Sequence, residues 1–333
     1  MSANKNFISL IKDCQSIGIF SHINPDGDAV CSCIALQKWI ESTFNKKSKI
    51  CIAGEIGKLY APFVKLSKIE KPETFDLAIC LDCPNSFRLG ENESAFLSSP
   101  NTVAIDHHVG GKIFAETNII DINAASTTEI LFELFKSQGT EVSDLVAMLL
   151  YTGIITDTNC FTQEADDHLH IVVGQLLRKK FNYEKVKQYF FVNNSKAKIL
   201  LMEKALKSME FALRDRVCSM NLTLNNFKSS KANFEDTMGF IGNAISISTV
   251  EVAIITIERQ KNFFYVSIRT KGEVNAASIA TAFNGGGHKN MAAFQYSGDI
   301  KFLKPTLLTV IKKELSINGN KAKRSTKNNF EFL

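Results

Sequence analysis

A short stretch at residues 19–29, IFSHINPDGDA, constrains this chain more than any other. An apolar run typical of a β-strand ends at His22, and the carboxylates of Asp26 and Asp28 follow soon after. The proline and the glycine beside them favour a tight loop rather than a helix. Two carboxylates this close repel each other unless a cation joins them. The stretch therefore indicates a divalent-metal site in a loop that follows a strand.

Three further apolar runs are typical of buried strands, and two of them lead directly into an acidic residue. The first covers residues 49–53, the second covers 75–81 and leads into Asp82, and the third covers 101–105 and leads into Asp106. Open α/β sheets place their ligands at the carboxyl ends of the strands. We therefore expect a parallel sheet with a site along one edge.

The predicted fold class is α/β, with a mostly parallel N-terminal sheet flanked by helices, a helical linker and a smaller C-terminal α/β domain with a mixed sheet. Apolar periodicity predicts helices at residues 7–16, 29–44, 126–137, 143–156, 196–213 and 274–283. A β-hairpin is expected from residues 250–258 and 263–269. The expected regions are a metal-binding domain at 1–190, a linker at 191–214, a second domain at 215–316 and a basic, disordered tail at 317–333.

Composition excludes several classes of protein. The chain is 45% hydrophobic and 22% charged, which is ordinary for a soluble globular protein. No apolar run approaches the length of a membrane span, and the N-terminus lacks the features of a signal peptide. The eight cysteines stand in apolar surroundings, so we predict reduced core thiols, a cytoplasmic protein and no membrane partner. The net charge of +5 permits a nucleotide or nucleic-acid substrate without requiring one.

Several polar residues stand at the ends of predicted strands and helices, namely His22, Asp26, Asp28, Asp82, Asp106, His107, His108 and Asp157. A lone aspartate after a strand is usually a turn or capping residue. Together, however, these residues offer more oxygen and nitrogen donors than one zinc ion takes, and no thiolate. The set suits two ions such as Mn²⁺ or Mg²⁺ that share a carboxylate, an arrangement used for in-line attack on phosphorus.

These motifs, in this order, resemble those of the DHH phosphoesterases. Residues 22–29 (HINPDGDA) are similar to the family's first motif, Asp82 in LDCPN to the second, Asp106-His107-His108 to the third, and Asp157 in TGIITDT to the fourth. The run Gly285-Gly286-Gly287-His288 resembles the glycine-rich loop of the DHH-associated C-terminal domain. Within the family, the chain is most similar to the bifunctional oligoribonucleases and adenosine 3′,5′-bisphosphate (pAp) phosphatases.

The resemblance implies a role for each matching residue of the first domain. One Mn²⁺ would be held by His22, Asp26 and Asp82, and a second by Asp28, Asp82, His107 and Asp157, with Asp82 bridging. His108 would face the scissile phosphate, and Asp106 would orient a histidine of the pair.

The C-terminal loop is expected to bind substrate. Its glycines (Gly285, Gly286 and Gly287) would let backbone N–H groups approach a phosphate, with His288, Arg269 and Lys271 as further donors. Taken alone, the glycine run also suits a flexible turn, and the Arg-x-Lys at a strand end also suits solvated surface. Two positions depart from the family pattern. Asn159-Cys160 stands where Gly-Arg is common, and Asn284 stands where a fourth glycine is common.

The activity implied is that of a Mn²⁺-dependent phosphodiesterase that degrades very short RNA, including linear dinucleotides such as pApA, and dephosphorylates pAp to AMP. One alternative is an inorganic pyrophosphatase or exopolyphosphatase of the same superfamily, against which the glycine–histidine loop argues. A nonenzymatic nucleotide-binding module is another alternative, but it would be expected to have lost ligands. The expected partners are the substrates and a second copy of the chain, which an exposed helical face near residues 143–190 would contact.

Overall fold

The computed structural model describes residues 2–162, 165–287 and 289–325. The chain divides into two compact units, the first ending at Asn193 and the second beginning at Asn194. Among the residues described, no helix is long and apolar enough to cross a membrane.

The first unit is built on a parallel sheet flanked by helices. Its strands are β1 (Ile17–Ser21), β2 (Lys49–Ile52), β3 (Leu77–Leu81), β4 (Thr102–Asp106) and β5 (Thr117–Ile120). Its helices are α1 (Ser2–Asp13), α2 (Gly27–Phe44), α3 (Ala61–Val64), α4 (Glu93–Leu97), α5 (Thr127–Ser137), α6 (Asp144–Asp157), α7 (Asp167–Leu176) and α8 (Tyr183–Lys187). The strand order is β2-β1-β3-β4-β5, with every pair parallel, which confirms the predicted parallel sheet.

The register of this sheet brings the predicted site residues to one edge. Ser21 of β1 lies opposite Leu81 of β3, and Leu81 lies opposite Ile105 of β4. The next residue along each strand is therefore His22, Asp82 or Asp106. Strands β1, β3 and β4 are buried along their whole length, which explains why they read as continuous apolar runs rather than as alternating patterns.

The second unit contains a mixed sheet. Its strands are β6 (Glu210–Ala212), β7 (Val217–Leu222), β8 (Val252–Gln260), β9 (Phe263–Thr270), β10 (Gly286–Gly287) and β11 (Met291–Ser297). Its helices are α9 (Lys196–Lys207), α10 (Leu224–Ser230), α11 (Phe240–Ile245), α12 (Ala276–Thr281) and α13 (Ile300–Ser325). The order is β10-β11-β9-β8-β7-β6, in which only β7 and β8 run parallel. The predicted mixed sheet and the β8–β9 hairpin are both confirmed.

Two expectations about this part of the chain need correction. The helix expected to link the domains, α9, belongs to the second unit, because Leu201 and Ala205 are buried in that unit's core. It also ends at Lys207 instead of continuing to residue 213, since the following residues pair as strand β6. The disordered tail expected from residue 317 is wrong over its first part, because α13 continues to Ser325. The remainder of that tail lies outside the described residues.

Helices α2, α5 and α6 pack closely at the site edge of the first unit, and two glycines permit this approach. A Cβ on Gly153 of α6 would clash with Thr128 of α5 and lie 2.6 Å from Oδ1 of Asp28. A Cβ on Gly27, at the start of α2, would clash with Thr156 of α6. These glycines allow the helices to meet around Asp28.

We expect Gly153→Ala to lower the free energy of unfolding by about 1–3 kcal/mol, because the added methyl group overpacks this contact. The matched control is Gly174→Ala in α7, where nothing lies within 4 Å of the added Cβ. That control should raise the free energy of unfolding by about 0.4–1 kcal/mol. Urea unfolding followed by circular dichroism measures both, and effects of the same sign would contradict the packing argument.

Candidate metal centre

Histidine and aspartate side chains converge at the carboxyl edge of the parallel sheet. They form three overlapping groups, and within each group the possible ligand atoms lie within 4.8 Å of one another. The groups are His22, Asp26 and Asp82; Asp28, His107 and Asp157; and Asp82, His107 and His108. Asp82 and His107 each belong to two groups, so the three groups form one continuous cluster. The structure thus brings together every residue predicted to bind metal, and their binding of ions stays a prediction.

Each of these residues occupies a strand end or a helix end. His22, Asp82 and His107 follow β1, β3 and β4, respectively. Asp157 is the last residue of α6. Asp26 caps the N-terminus of α2, where its carboxylate accepts a hydrogen bond of 3.0 Å from the Ala29 amide. The position of each side chain is therefore set by regular structure rather than by a free loop.

Asp82 stands at the middle of the cluster. Its side chain is 2% exposed and lies 3.7 Å from Nε2 of His22 and 3.6 Å from Nε2 of His107. The backbone of Asp82 has a φ of 57°, a left-handed conformation that is uncommon outside glycine. Strain of this kind persists at functional sites when the surrounding structure enforces it. Burial would raise the pKa of this carboxyl, but the interactions with His22, His108 and His107 hold the pKa below its usual range.

Asp28 is also buried, and its carboxylate is held by the N-terminus of α5. It accepts hydrogen bonds from the Thr127 amide at 2.6 Å, the Thr128 amide at 3.1 Å and the Thr128 hydroxyl at 2.6 Å. A carboxylate at a helix N-terminus is stabilised by the helix dipole. Even so, burial and the charges of Asp82 and Asp157 raise the pKa of Asp28 well above its usual value. A further positive charge beside Asp28 would favour its ionised form.

The histidines present one ring nitrogen to the cluster while the other contacts a fixed partner. Nδ1 of His22 lies 2.8 Å from the Ile23 carbonyl, and Nδ1 of His107 lies 3.2 Å from the Ala124 carbonyl. In both rings Nε2 points toward carboxylates of the cluster. Metal-binding histidines usually donate their second N–H in this way.

His108 is held differently from His107. Its Nδ1 lies 2.7 Å from Oδ1 of Asp106, and its side chain is 26% exposed. Asp106 thus contacts His108 and stands outside the three candidate ligand groups. Burial lowers the pKa of His108, but Asp106 and Asp82 raise it overall.

The composition of the cluster fits divalent ions. The donors are imidazole nitrogens and carboxylate oxygens without a thiolate, ligand types that divalent metal ions accept. The carboxylates of Asp28, Asp82 and Asp157 lie close enough to shift one another's pKa values. Divalent cations would offset that repulsion directly.

Three residues of the site were not predicted. Thr127 and Thr128 hold Asp28, and the Thr127 hydroxyl also donates to Asp82 at 3.2 Å. Arg88 lies with Nη2 3.0 Å from Nδ1 of His22. The only sequence signal for Arg88 was its position shortly after Asp82, in the stretch LDCPNSFRLG.

The residues expected to bind substrate lie in the second unit. Arg269 is half-buried near the end of β9, opposite Met291 of β11. Lys271 donates from Nζ to the Ile247 carbonyl at 3.0 Å, so it is already bonded within its own unit. His288 lies outside the described residues.

At two positions of the run Gly285-Gly286-Gly287, the structure favours glycine over residues with a Cβ. A Cβ on Gly285 would lie 2.5 Å from Cβ of Phe294, and Gly287 has a φ of 145°. Gly286 and Gly287 form strand β10, which pairs with Ala293 and Ala292 of β11. The middle glycine has open space around its position and no such steric requirement.

The positions that depart from the family pattern share one backbone feature. Asn159 has a φ of 47°, Cys160 a φ of 54° and Asn284 a φ of 58°, all left-handed. Asparagine adopts this conformation more readily than most residues. Asn159 and Asn284 thus adopt a backbone conformation that glycine also adopts readily.

Comparison with known proteins agrees with the motifs and the fold. The profile of the DHH family, N-terminal domain, matches residues 16–154, and that of the DHHA1 domain matches residues 222–316. The chain belongs to the DHH family of phosphoesterases. The two matched segments together contain all the candidate ligands except Asp157, which follows the first segment closely.

Sequence relatives point to one group within the family. The chain is 26% identical to a probable bifunctional oligoribonuclease and PAP phosphatase NrnA of Streptococcus mutans, covering 86% of this chain and 92% of that protein. It is 25% identical to the NrnA of Bacillus subtilis, covering 82% of this chain and 87% of that protein. A crystal structure of an exopolyphosphatase-related protein from Bacteroides fragilis shares the fold, with a TM-score of 0.86, 23% identity and coverage of 97% and 98%.

We expect Mn²⁺ binding to release protons at pH 7.5. In the metal-free protein, burial lowers the pKa values of His22 and His107, but neighbouring carboxylates raise them. Asp82 and Asp26 raise the pKa of His22 to about 9. Asp157 and Asp82 raise the pKa of His107 to about 11. Both rings are therefore protonated at pH 7.5, below these pKa values, and must lose a proton to bind an ion. The apparent affinity should rise with pH.

Titration calorimetry in buffers of different ionisation enthalpy measures the released protons. His22→Gln should reduce their number, whereas His170→Gln, which alters a histidine outside the candidate ligand groups, should not. Binding without proton release would contradict the assigned charge states.

Proposed function

We propose that this protein is a two-metal phosphohydrolase that degrades very short RNA, including linear dinucleotides such as pApA, to mononucleotides and converts pAp to AMP. The observation that carries the proposal is the set of three ligand groups that share Asp82 and His107 at the carboxyl edge of the sheet. The choice of substrate rests on the relatives named as oligoribonucleases and PAP phosphatases.

Two divalent ions would be held by residues of the first unit. His22, Asp26 and Asp82 would hold one, and Asp28, Asp82, His107 and Asp157 the other. When bound, such a pair supplies an activated water and neutralises charge on a phosphoryl group, with Mn²⁺ as the first candidate ion. Thr127 and Thr128 keep the Asp28 carboxylate oriented, and the Ile23 and Ala124 carbonyls orient the two histidines.

His108 is proposed as the residue that faces the scissile phosphate. Asp106 accepts a hydrogen bond from its Nδ1, so the proton stays on that nitrogen and the ring keeps its orientation. Its partial exposure allows contact with substrate, and its raised pKa favours the protonated form. In that form it donates a hydrogen bond, or a proton, to an oxygen of the reacting phosphate.

The second unit is proposed to bind the substrate's terminal nucleotide. The backbone amides of the glycine run and the guanidinium of Arg269 are donors suited to a phosphate group. Lys271 would contribute after exchanging its hydrogen bond to Ile247 for one to the substrate. His288 would add a further donor.

An activity panel with Mn²⁺ tests the proposal. The substrates are pAp, pApA, RNAs of two to five nucleotides, longer RNA, short DNA and pyrophosphate. We expect turnover of pAp, pApA and the shortest RNAs to exceed turnover of the others. Fast cleavage of pyrophosphate with inert RNA would instead establish a pyrophosphatase, and nucleotide binding without any turnover would establish a binding module.

Replacing Asp82 and replacing Asp106 should have different effects on kcat. Asp106→Asn alters a residue that acts through His108, so we expect a loss of about 10- to 100-fold, the usual effect of a residue that orients such a group. Asp82→Asn removes a carboxylate shared by two ligand groups, and the loss should be larger, with weakened Mn²⁺ binding. Calorimetry should show nearly unchanged Mn²⁺ affinity for Asp106→Asn. Survival of short-RNA turnover in Asp82→Asn would rule out the two-metal mechanism.

A further inference from the structure

Arg88 lies beside the first ligand group. It belongs to the short 3-10 helix Ser86–Asn92 that follows β3, and its carbonyl accepts a hydrogen bond of 2.8 Å from the Ile23 amide. Its side chain lies with Nη2 3.0 Å from Nδ1 of His22. Its Nε is buried and has no hydrogen-bond partner among the described residues. The backbone of Arg88 is therefore held by a hydrogen bond, whereas the guanidinium of its side chain is incompletely hydrogen-bonded.

The contact between Arg88 and His22 competes with a second one. Nδ1 of His22 also lies 2.8 Å from the Ile23 carbonyl. One ring nitrogen either donates to that carbonyl or accepts from Arg88, and it does not do both. If Nε2 of His22 binds a divalent ion, Nδ1 carries the proton and donates to Ile23. Arg88 then faces a donor and needs another acceptor.

The charges of the site leave no carboxylate for Arg88. Two divalent ions balance the four candidate ligand carboxylates, which are Asp26, Asp28, Asp82 and Asp157. Asp106 is already in contact with His108. In the described part of the chain, Arg88 forms no ion pair within 4.0 Å. The positive charge of Arg88 therefore lies next to His22 without a carboxylate partner, and an anionic ligand would pair with it.

We propose that Arg88 binds a nonbridging oxygen of the substrate phosphate beside the His22, Asp26 and Asp82 group. The guanidinium suits this task because it presents planar, paired donors to a phosphate and stays charged at any working pH. The inference rests on the proposed function, since it concerns the phosphate that the same centre would cleave. The competing explanation is structural, namely that Arg88 only holds the loop or His22 in place.

Binding of AMP, adenosine and orthophosphate to the Mn²⁺-loaded protein separates the two explanations. We expect Arg88→Gln to weaken the binding of AMP and of orthophosphate about 10- to 100-fold, the effect of losing charge-assisted hydrogen bonds. The binding of adenosine, which has no phosphate, should stay unchanged. Arg88→Lys should recover part of the lost affinity, because lysine keeps the positive charge but lacks the planar, paired N–H donors of arginine. Arg178→Gln removes an exposed arginine from the same unit and should match the wild type. In turnover of pAp, Arg88→Gln should raise KM more than it lowers kcat.

Mn²⁺ affinity, measured by calorimetry without nucleotide, is the second readout. It should stay within about twofold in Arg88→Gln if the arginine binds phosphate, and fall if the arginine positions His22. The inference would be overturned if Arg88→Gln weakened the binding of AMP and of adenosine equally. It would also be overturned if Arg88→Gln bound orthophosphate as tightly as Arg178→Gln does. Should Arg88→Gln fail to fold, Arg88→Lys decides alone, because a lysine restores charge without the paired donors.

The same measurements distinguish a failure of the Arg88 assignment from a failure of the proposed function. If orthophosphate binding depends on Arg88 but neither RNA nor pAp is hydrolysed, the proposed function is wrong and the assignment of Arg88 stands. If short RNA is hydrolysed but phosphate binding is indifferent to Arg88, only the assignment of Arg88 is wrong.

Discussion

The burial of mutually repelling carboxylates is the constraint around which the first unit is arranged. Asp28 and Asp82 are almost inaccessible to solvent, and the charge of Asp82 disfavours ionisation of Asp28. A buried charge is tolerated only when hydrogen bonds or opposite charges compensate for the loss of water. The protein supplies three donors from the start of α5 to Asp28, and histidines on several sides to Asp82. Divalent cations would add to this compensation, which connects the electrostatics of the fold to the proposed chemistry of the site.

The parallel sheet makes this crowding possible. Because neighbouring strands end in the same row, residues distant in sequence reach one edge without long loops. Asp82 then completes the arrangement through a left-handed backbone conformation that redirects the chain directly after β3. An antiparallel sheet would place alternate strand ends at opposite edges and would separate these side chains.

The sequence predicts which polar residues come together better than it predicts the borders of the fold. Strands β1, β3 and β4 are recognisable because burial on both faces makes them continuous apolar runs. Strand β5 escapes prediction because it is a short, partly exposed edge strand with little apolar character. The linker helix α9 and the long α13 were misjudged because helical periodicity alone does not show which core a helix joins or where it ends.

The supporting residues of the site are harder to predict for a different reason. Thr128 and Arg88 act through contacts with residues distant in sequence or on another element, so their roles depend on how the elements pack. The candidate ligands are recognisable in the sequence because acidic residues and histidines are unusual directly after buried strands. Asn159 and Asn284 depart from the motif in residue type, and both have left-handed backbones, a conformation that glycine also adopts.

Gly153 also bears on how such a chain can change over evolutionary time. In a helix, glycine is normally a disadvantage that mutation to alanine relieves. Here the space above Gly153 is filled by Asp28 and Thr128, so alanine is unfavourable while those residues remain. A descendant that lost the carboxylate at position 28 and carried a smaller residue in place of Thr128 would be free to accept a larger residue at position 153. Once filled, that space would hinder the return of Asp28, so the loss of this centre would tend to be irreversible.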